Sequence, residues 1–195
     1  MKKFGPKETT YAVLYAKEYY ESVLKLIKKY PVYAWQKFEE KYNDHDAIVE
    51  VDGKKIEFMS VSKAEDVPTF PGVAYCMRLI LGLSTTRYDY MCVGSDGRYA
   101  DPFKQTLYAE AASRLNITTF GSITRIVGPP GAMQYLCTFA STFQTITVRE
   151  SAINTVATIN TGIQLNRNSF PSSPIVHVNG GTSFIIGSQF TITAS

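Results

Sequence analysis

The second half of this chain is almost without charge. Residues 102–195 hold five Lys/Arg and two Asp/Glu, whereas residues 1–101 hold 15 of each. Catalysis needs titratable groups that converge on a substrate. The second half offers only Glu110, Glu150 and His177, with Asp101 at its edge, so the chain is expected not to be an enzyme. The Gly-x-Ser-x-Gly elbow, the Walker loop, the His-Glu-x-x-His helix and the Gly-x-Gly-x-x-Gly turn are missing as well, which excludes those families. Cysteine is scarce: Cys76, Cys92 and Cys137 form neither a close pair nor an even set, so buried thiols are expected in place of a disulfide framework or a zinc knuckle. Long apolar runs are lacking too. The longest, residues 73–83, is too short for a bilayer and contains Arg78, and the basic opening MKKFGPKETT has no apolar stretch behind it. Neither a membrane span nor a secretory signal is expected.

The net charge of +3 comes from basic residues interleaved with acids, not from the clustered Lys and Arg that a phosphate-tracking surface needs. No nucleic-acid partner is expected. Asp44-His45-Asp46 reads as a solvated turn, because adjacent residues rarely converge on one ion. The loop from Val93-Gly94-Ser95-Asp96-Gly97 to Asp101 is oxygen-rich but lacks the ligand spacing and closing Glu of an EF-hand. No metal and no cofactor are assigned. Asn116-Ile117-Thr118 fits the glycosylation acceptor pattern, which is discounted without an export signal.

What is present is a folding composition, 45% hydrophobic and 13% aromatic over 195 residues, enough for one core with an accessory part. Ala12, Tyr15, Ala16, Tyr19, Val23, Leu26, Ile27 and Tyr30 recur at steps of three and four, which predicts a helix over residues 11–30 capped by Thr9 or Thr10. Pro31 opens a second helix through Trp35 and Phe38 to about Tyr42. The aromatics Tyr11, Tyr15, Tyr19, Tyr20, Tyr30, Tyr33 and Trp35 are read as core or subunit contacts, with a sugar platform as the other reading. Asp52-Gly53 between residues 47–51 and 54–58 predicts a β-hairpin. Pro68, Pro71 and Gly72 then mark a boundary, giving a helical arm plus hairpin over 1–70 and a β-sandwich over 71–195.

In the second segment, residues 182–193 place Phe184, Ile186, Ser188, Phe190 and Ile192 at alternate positions, which predicts a strand with a single buried face. Asn179-Gly180-Gly181 is expected to pair it with residues 175–178 as a terminal hairpin. Residues 123–127, 135–143, 146–153 and 162–167 also read as strands, with Gly128-Pro129-Pro130-Gly131 as one turn. Residues 102–115 read as a helix from the spacing of Leu107, Ala111, Ala112 and Leu115 after Pro102. The fold class expected is α+β: an antiparallel, jelly-roll-like β-sandwich with one packed helix, preceded by a helical segment and a hairpin.

From Cys92 onward the order of features resembles a β-domain of minor structural proteins of tailed phages and related archaeal viruses, associated with tails, baseplates, collars and capsid decoration. In that pattern a Val/Ile-x-x-Gly loop precedes a Pro and a short helix with a Leu and a Glu, places taken here by Val93-Gly94, Pro102, Leu107 and Glu110. An alternating Phe and Thr/Ser strand follows, then Ile-x-Val/Ile-x-Glu-x-Gly-Leu/Ile. Here these are Phe139 to Phe143 and Ile146-Thr147-Val148-Arg149-Glu150-Ser151-Ala152-Ile153, with Ala152 in place of the usual Gly. Leu165-Asn166-Arg167, Phe170, a short apolar strand and the final alternating strand complete the likeness over residues 90–195. It implies a sandwich that docks to neighbours without a cofactor, in which Glu150 is a structural carboxylate bonded to loop backbone or paired with Arg149, Arg167 or Arg125. The expected function is that of a virion structural protein, made in the host cytoplasm, forming a homo-oligomer and touching other virion proteins. A carbohydrate- or receptor-binding module that takes a host glycan is the second reading. A hydrolase is the remote one, requiring His177 or His45 to meet a carboxylate or thiol in a cleft.

Overall fold

The computed structural model describes residues 4–44, 47–99, 101–111, 113–126, 132–172 and 174–194. His45 and Asp46 of the solvated turn, Ala112 and the turn at 128–131 therefore lie outside the described residues. The fold is α+β with antiparallel sheets, as expected. Strands β1 (Phe4–Ala16), β2 (Ile48–Val51), β3 (Lys54–Lys63), β7 (Gly121–Ile126), β8 (Ala132–Phe139) and β13 (Thr182–Ala194) form one sheet in the order β2-β3-β1-β13-β8-β7. A second sheet runs β4-β11-β10-β5-β6, from β4 (Glu65–Pro68), β11 (Asn166–Ser169), β10 (Glu150–Asn154), β5 (Tyr90–Gly94) and β6 (Leu115–Asn116). A small third sheet pairs β9 (Ile146–Val148) with β12 (Ile175–His177).

The expected hairpin is present as β2-β3, and Asp52 and Gly53 take φ of 50° and 75°, the positive pair that a two-residue turn between right-twisted strands requires. The helical reading of residues 11–30 is half corrected. Residues 4–16 are strand, and only α1 (Tyr20–Lys29), entered through a 3-10 turn at Lys17–Tyr19, is helical. Tyr, Val and Leu favour strands. Here both faces of β1 are apolar, so no two-residue alternation betrays it: Ala12 and Leu14 face one core, and Tyr11, Val13 and Tyr15 face another. Thr10 is consequently a buried strand residue and not a helix cap.

Those two cores make three layers. Between the sheets, Ala12, Leu14, Cys137, Phe139, Phe184 and Ile186 meet Met91, Val93, Ile153 and Phe170. On the opposite face of the large sheet, Tyr11, Tyr15, Leu136 and Ile185 meet Val23, Leu26 and Ile27 of α1, then Val32 and Trp35, and Phe38 of α2 (Gln36–Asn43). Each large apolar side chain buried this way contributes on the order of 1.5–3 kcal/mol. The expectation that β13 buries one face is therefore corrected, since Ile185 on its second face is fully buried under the helices. Gly187 allows that approach, because a Cβ there would lie 2.7 Å from Val32 Cγ2 and 3.0 Å from the Trp35 ring. Val32 N–H also donates to Gln134 Oε1 at 2.8 Å, tying the helical layer to β8. The division expected near residue 70 cuts across this sheet, in which β1 pairs with β13 from Phe4↔Ala194 to Ala16↔Thr182.

Three further expectations change. Residues 175–178 and 182–193 are joined by the turn at 179–181, but β12 pairs with β9 and β13 with β1 and β8, so the turn is a corner between sheets. Residues 146–153 break at Arg149, whose N–H donates to Gly94 O and whose carbonyl accepts from Phe170 N–H. The described residues between 102 and 115 are not helical: Ser95 N–H donates to Ala109 O and Ala111 N–H to Val93 O, so the chain runs beside β5. The packed helix is instead α3 (Phe70–Ile80), capped by Thr69, whose Oγ1 accepts from Gly72 N–H at 3.0 Å. A single turn, α4 (Ile117–Phe120), is capped by Asn116, whose Oδ1 accepts from Thr119 N–H at 3.1 Å.

Candidate functional site

Glu150 opens β10 with its side chain wholly buried, and so is that of Arg167 on β11. The guanidinium donates from Nε and Nη2 to Glu150 Oε2 at 2.9 and 2.7 Å. The same carboxylate accepts from two loop amides, Tyr108 N–H at 3.1 Å on Oε2 and Ala109 N–H at 2.8 Å on Oε1. Arg167 spends its other donors on carbonyls, Nη1 on Tyr99 O at 2.7 Å and Nη2 on Arg98 O at 3.2 Å, and lies over the Tyr108 ring. Of the three arginines expected as partners, Arg167 is the one paired with Glu150. Arg149 lies instead against Gly97, and the Arg125 side chain lies outside the described groups.

Gly94 is required beside this carboxylate, since a Cβ there would sit 2.5 Å from Glu150 Oε1 and 2.6 Å from Ala109 O. Pro102 marks where the loop meets α3, its carbonyl accepting from Phe70 N–H at 2.8 Å. The acids of the expected plain turn are also engaged. Asp96 accepts from Arg98 Nη2 at 2.7 Å, which holds its carboxyl down to about 2, and Asp101 Oδ1 accepts from Phe103 N–H at 2.9 Å. A second buried pair joins Arg114 to Glu110, with Arg114 Nη1 donating to Val156 O and Thr161 O and Glu110 Oε2 accepting from Asn160 N–H at 2.8 Å. Sequence reading placed Glu110 on a helix and gave Arg114 no role.

His177 faces no carboxylate or thiol among the described residues. Its Nε2 lies 3.1 Å from Phe143 O, which can only accept, so that nitrogen carries the proton and Nδ1 accepts from Thr182 Oγ1 at 3.0 Å. Burial lowers its pKa, which keeps it neutral. A concave region of about 600 Å³ lined by Leu79, Arg87, Asp89, Thr118, Ile123 and Tyr135 holds one base and one acid, which pair with each other at 3.6 Å.

The outward face of α3 is a different kind of feature. Gly72, Tyr75, Cys76 and Leu79 face the sandwich, while Phe70, Val73, Met77, Ile80 and Leu81 face away from it. Ile80 is 76% exposed, and Phe103 from the Glu150 loop, 73% exposed, packs against Phe70 with ring centroids 4.9 Å apart. The sequence carried the signal in the run at 73–83, but a helix apolar on all sides shows no one-sided stripe. Among the described residues no helix is long and apolar enough to cross a membrane. The arrangement defines an α+β sandwich with ion-paired loops and one apolar outward helix face. No family model, curated protein or solved structure matches the chain.

Proposed function

We propose that this chain is a structural component of a virus particle, assembling through contacts with further copies of itself and with other virion proteins. The observation that carries the assembly reading is the outward face of α3, where Phe70, Val73, Met77, Ile80, Leu81 and Phe103 form a contiguous apolar surface. Monomeric proteins rarely leave a large contiguous apolar patch in water, which supports reading this face as a contact site. The virion setting rests on the resemblance of residues 90–195 to phage and archaeal-virus β-domains. The buried groups fit a mechanical role, because Glu150, Arg167, Glu110, Arg114 and His177 are all engaged in holding loops and strands. The aromatics weighed as a sugar platform supply little surface, since Tyr11, Tyr15 and Trp35 are buried between the large sheet and the helical layer, Tyr19, Tyr20 and Tyr30 are half-buried, and of the seven Tyr33 alone is exposed.

Light-scattering mass measurement after gel filtration tests assembly. The native chain is expected to run as an oligomer and M77E/I80E as a folded monomer with unchanged circular dichroism. A native chain that stays monomeric at high concentration would refute self-assembly. Gold labelling of purified particles tests the setting, and particles without label would refute it.

A further inference from the structure

Helices α1 and α2 and strand β2 border a cleft of about 440 Å³. Lys25 and Lys29 of α1 and Lys37 and Lys41 of α2 line it, over a floor that includes Leu26, Phe38 and Val49. Each helix therefore sets two like charges four residues apart on one face, where they repel. The helix dipole accounts for Lys29 and Lys41, which lie in last turns. It opposes Lys37, the second residue of α2, because a helix N-terminus disfavours a cation.

Lys37 nonetheless turns into the cleft. Its ammonium lies 2.8 Å from the centre of the Tyr30 ring and that of Lys29 lies 5.7 Å from the same centre, so the two charges are no more than 8.5 Å apart. Asp52 answers Lys25 at 2.9 Å, and Glu50 is the other acid of the lining. Among the described residues no carboxylate lies within ion-pair distance of Lys29 or Lys37, and four lysines against two acids leave the cleft positive. The described lining holds no arginine. Lysine binds phosphate as a point charge, whereas planar, two-bond recognition of a carboxylate calls for the arginine fork. The volume is that of a small-molecule site, and a concave cleft suits a compact anion better than a nucleic-acid strand, which needs a basic groove that tracks its backbone.

We propose that this cleft binds a small, multiply charged phosphoanion, an oligophosphate or a polyphosphorylated small molecule, through the ammoniums of Lys25, Lys29, Lys37 and Lys41. The anion removes the repulsion among the lysines and clasps α1 and α2 to the β2-β3 hairpin. The site belongs to the helical layer, on the far side of the large sheet from the intersheet core on which α3 packs. Binding is therefore separate from the contact made by the outward face of α3.

The test is calorimetric titration and thermal unfolding of the full chain in about 0.15 M NaCl, with sodium tripolyphosphate as the probe and citrate and a single-stranded DNA oligomer as comparisons. Tripolyphosphate is expected to bind once per chain and, at about a hundredfold over its dissociation constant, to raise Tm by roughly 5–10 °C. K29Q/K37Q keeps most of each side-chain stem and removes two charges. It is expected to match the native circular dichroism and to bind about tenfold or more weakly. K17Q/K28Q makes the same charge change at exposed lysines outside the cleft and is expected to keep the native affinity. E50Q removes an acid from the lining and is expected to bind more tightly, a gain that misfolding cannot mimic. No binding by the native chain overturns the proposal, as does an E50Q affinity no higher than the native one. An equal loss in K17Q/K28Q would assign the binding to net charge and overturn it too. Citrate bound as tightly as tripolyphosphate would overturn the phosphate assignment, and DNA bound more tightly through the same lysines would give the cleft to a nucleic-acid backbone and likewise overturn it.

Discussion

Replacing Glu150 by Gln tests the central claim about the buried network, because the change keeps volume and removes charge. Both carboxylate oxygens act as acceptors, Oε1 for Ala109 N–H and Oε2 for Tyr108 N–H and Arg167. An amide must therefore turn its NH₂ toward a donor in either orientation. It also leaves the Arg167 charge buried among neutral acceptors alone, the carbonyls of Tyr99 and Arg98 and the Gln amide oxygen where it turns that way. Breaking one side of a buried pair costs about 3–5 kcal/mol, which for a chain of this size lowers Tm by roughly 6–20 °C. Urea unfolding of E150Q gives that cost, and the cycle of E150L, R167M and E150L/R167M measures the coupling. The double variant is expected to lose less than either single variant, because it leaves no orphaned charge. An E150Q cost below about 1 kcal/mol, the range of a single neutral hydrogen bond, or additive losses in the cycle, would refute the reasoning.

G94A drives a methyl group to 2.5 Å from Glu150 Oε1 and should cost about 1–3 kcal/mol by overpacking, read as a lowered melting temperature. Trp35 is the one tryptophan and is fully buried between the helical layer and the large sheet. G187A, whose Cβ would press on Val32 and Trp35, should therefore shift its fluorescence to the red while β-sheet circular dichroism persists. The His177 pKa is lowered in the fold, so its contribution is complete above its unfolded value near 6.5 and is lost as pH falls toward the depressed folded value. The difference in urea midpoint between the native chain and H177N should shrink from pH 7.5 to pH 5. Asp66 on β4, raised to about 7 by burial, acts in the opposite sense: its contribution is complete below about 4 and is lost as pH rises to 7. D66N should flatten that slope.

Patterns that answer to local geometry were readable from the sequence. The β2-β3 hairpin was, because Asp-Gly demands positive φ, and so was β13, whose alternation spans many residues. β1 was not, because a strand sandwiched between two cores is apolar on both faces and its residues at 12, 15 and 16, continued by Tyr19 in the turn beyond, mimic a helical stripe. Residues 102–115 misled for the converse reason. Leu107 and Ala111 have helical spacing, but the amides of Tyr108 and Ala109 are claimed by Glu150, 41 or 42 residues away in sequence, and no local rule contains that competition. At the candidate site the Glu150 carboxylate was legible with three possible arginines, and the choice of Arg167 follows from the β10-β11 register.

The buried pair and the apolar face are mechanically connected. Glu150 and Arg167 together hold the backbone at 98, 99, 108 and 109, the two ends of the loop that carries Pro102 and Phe103. Pro102 in turn accepts from the first amide of α3, and the Phe103 ring packs at a tilt against Phe70. Loss of the carboxylate charge releases the loop before it unfolds the sandwich, because the intersheet core of Leu14, Phe139, Phe184 and Ile186 is untouched. E150Q is then expected to weaken self-association at temperatures well below its Tm, in the same light-scattering assay used for M77E/I80E. A fully associated E150Q with a lowered Tm would separate the two features and confine the ion pair to stability alone.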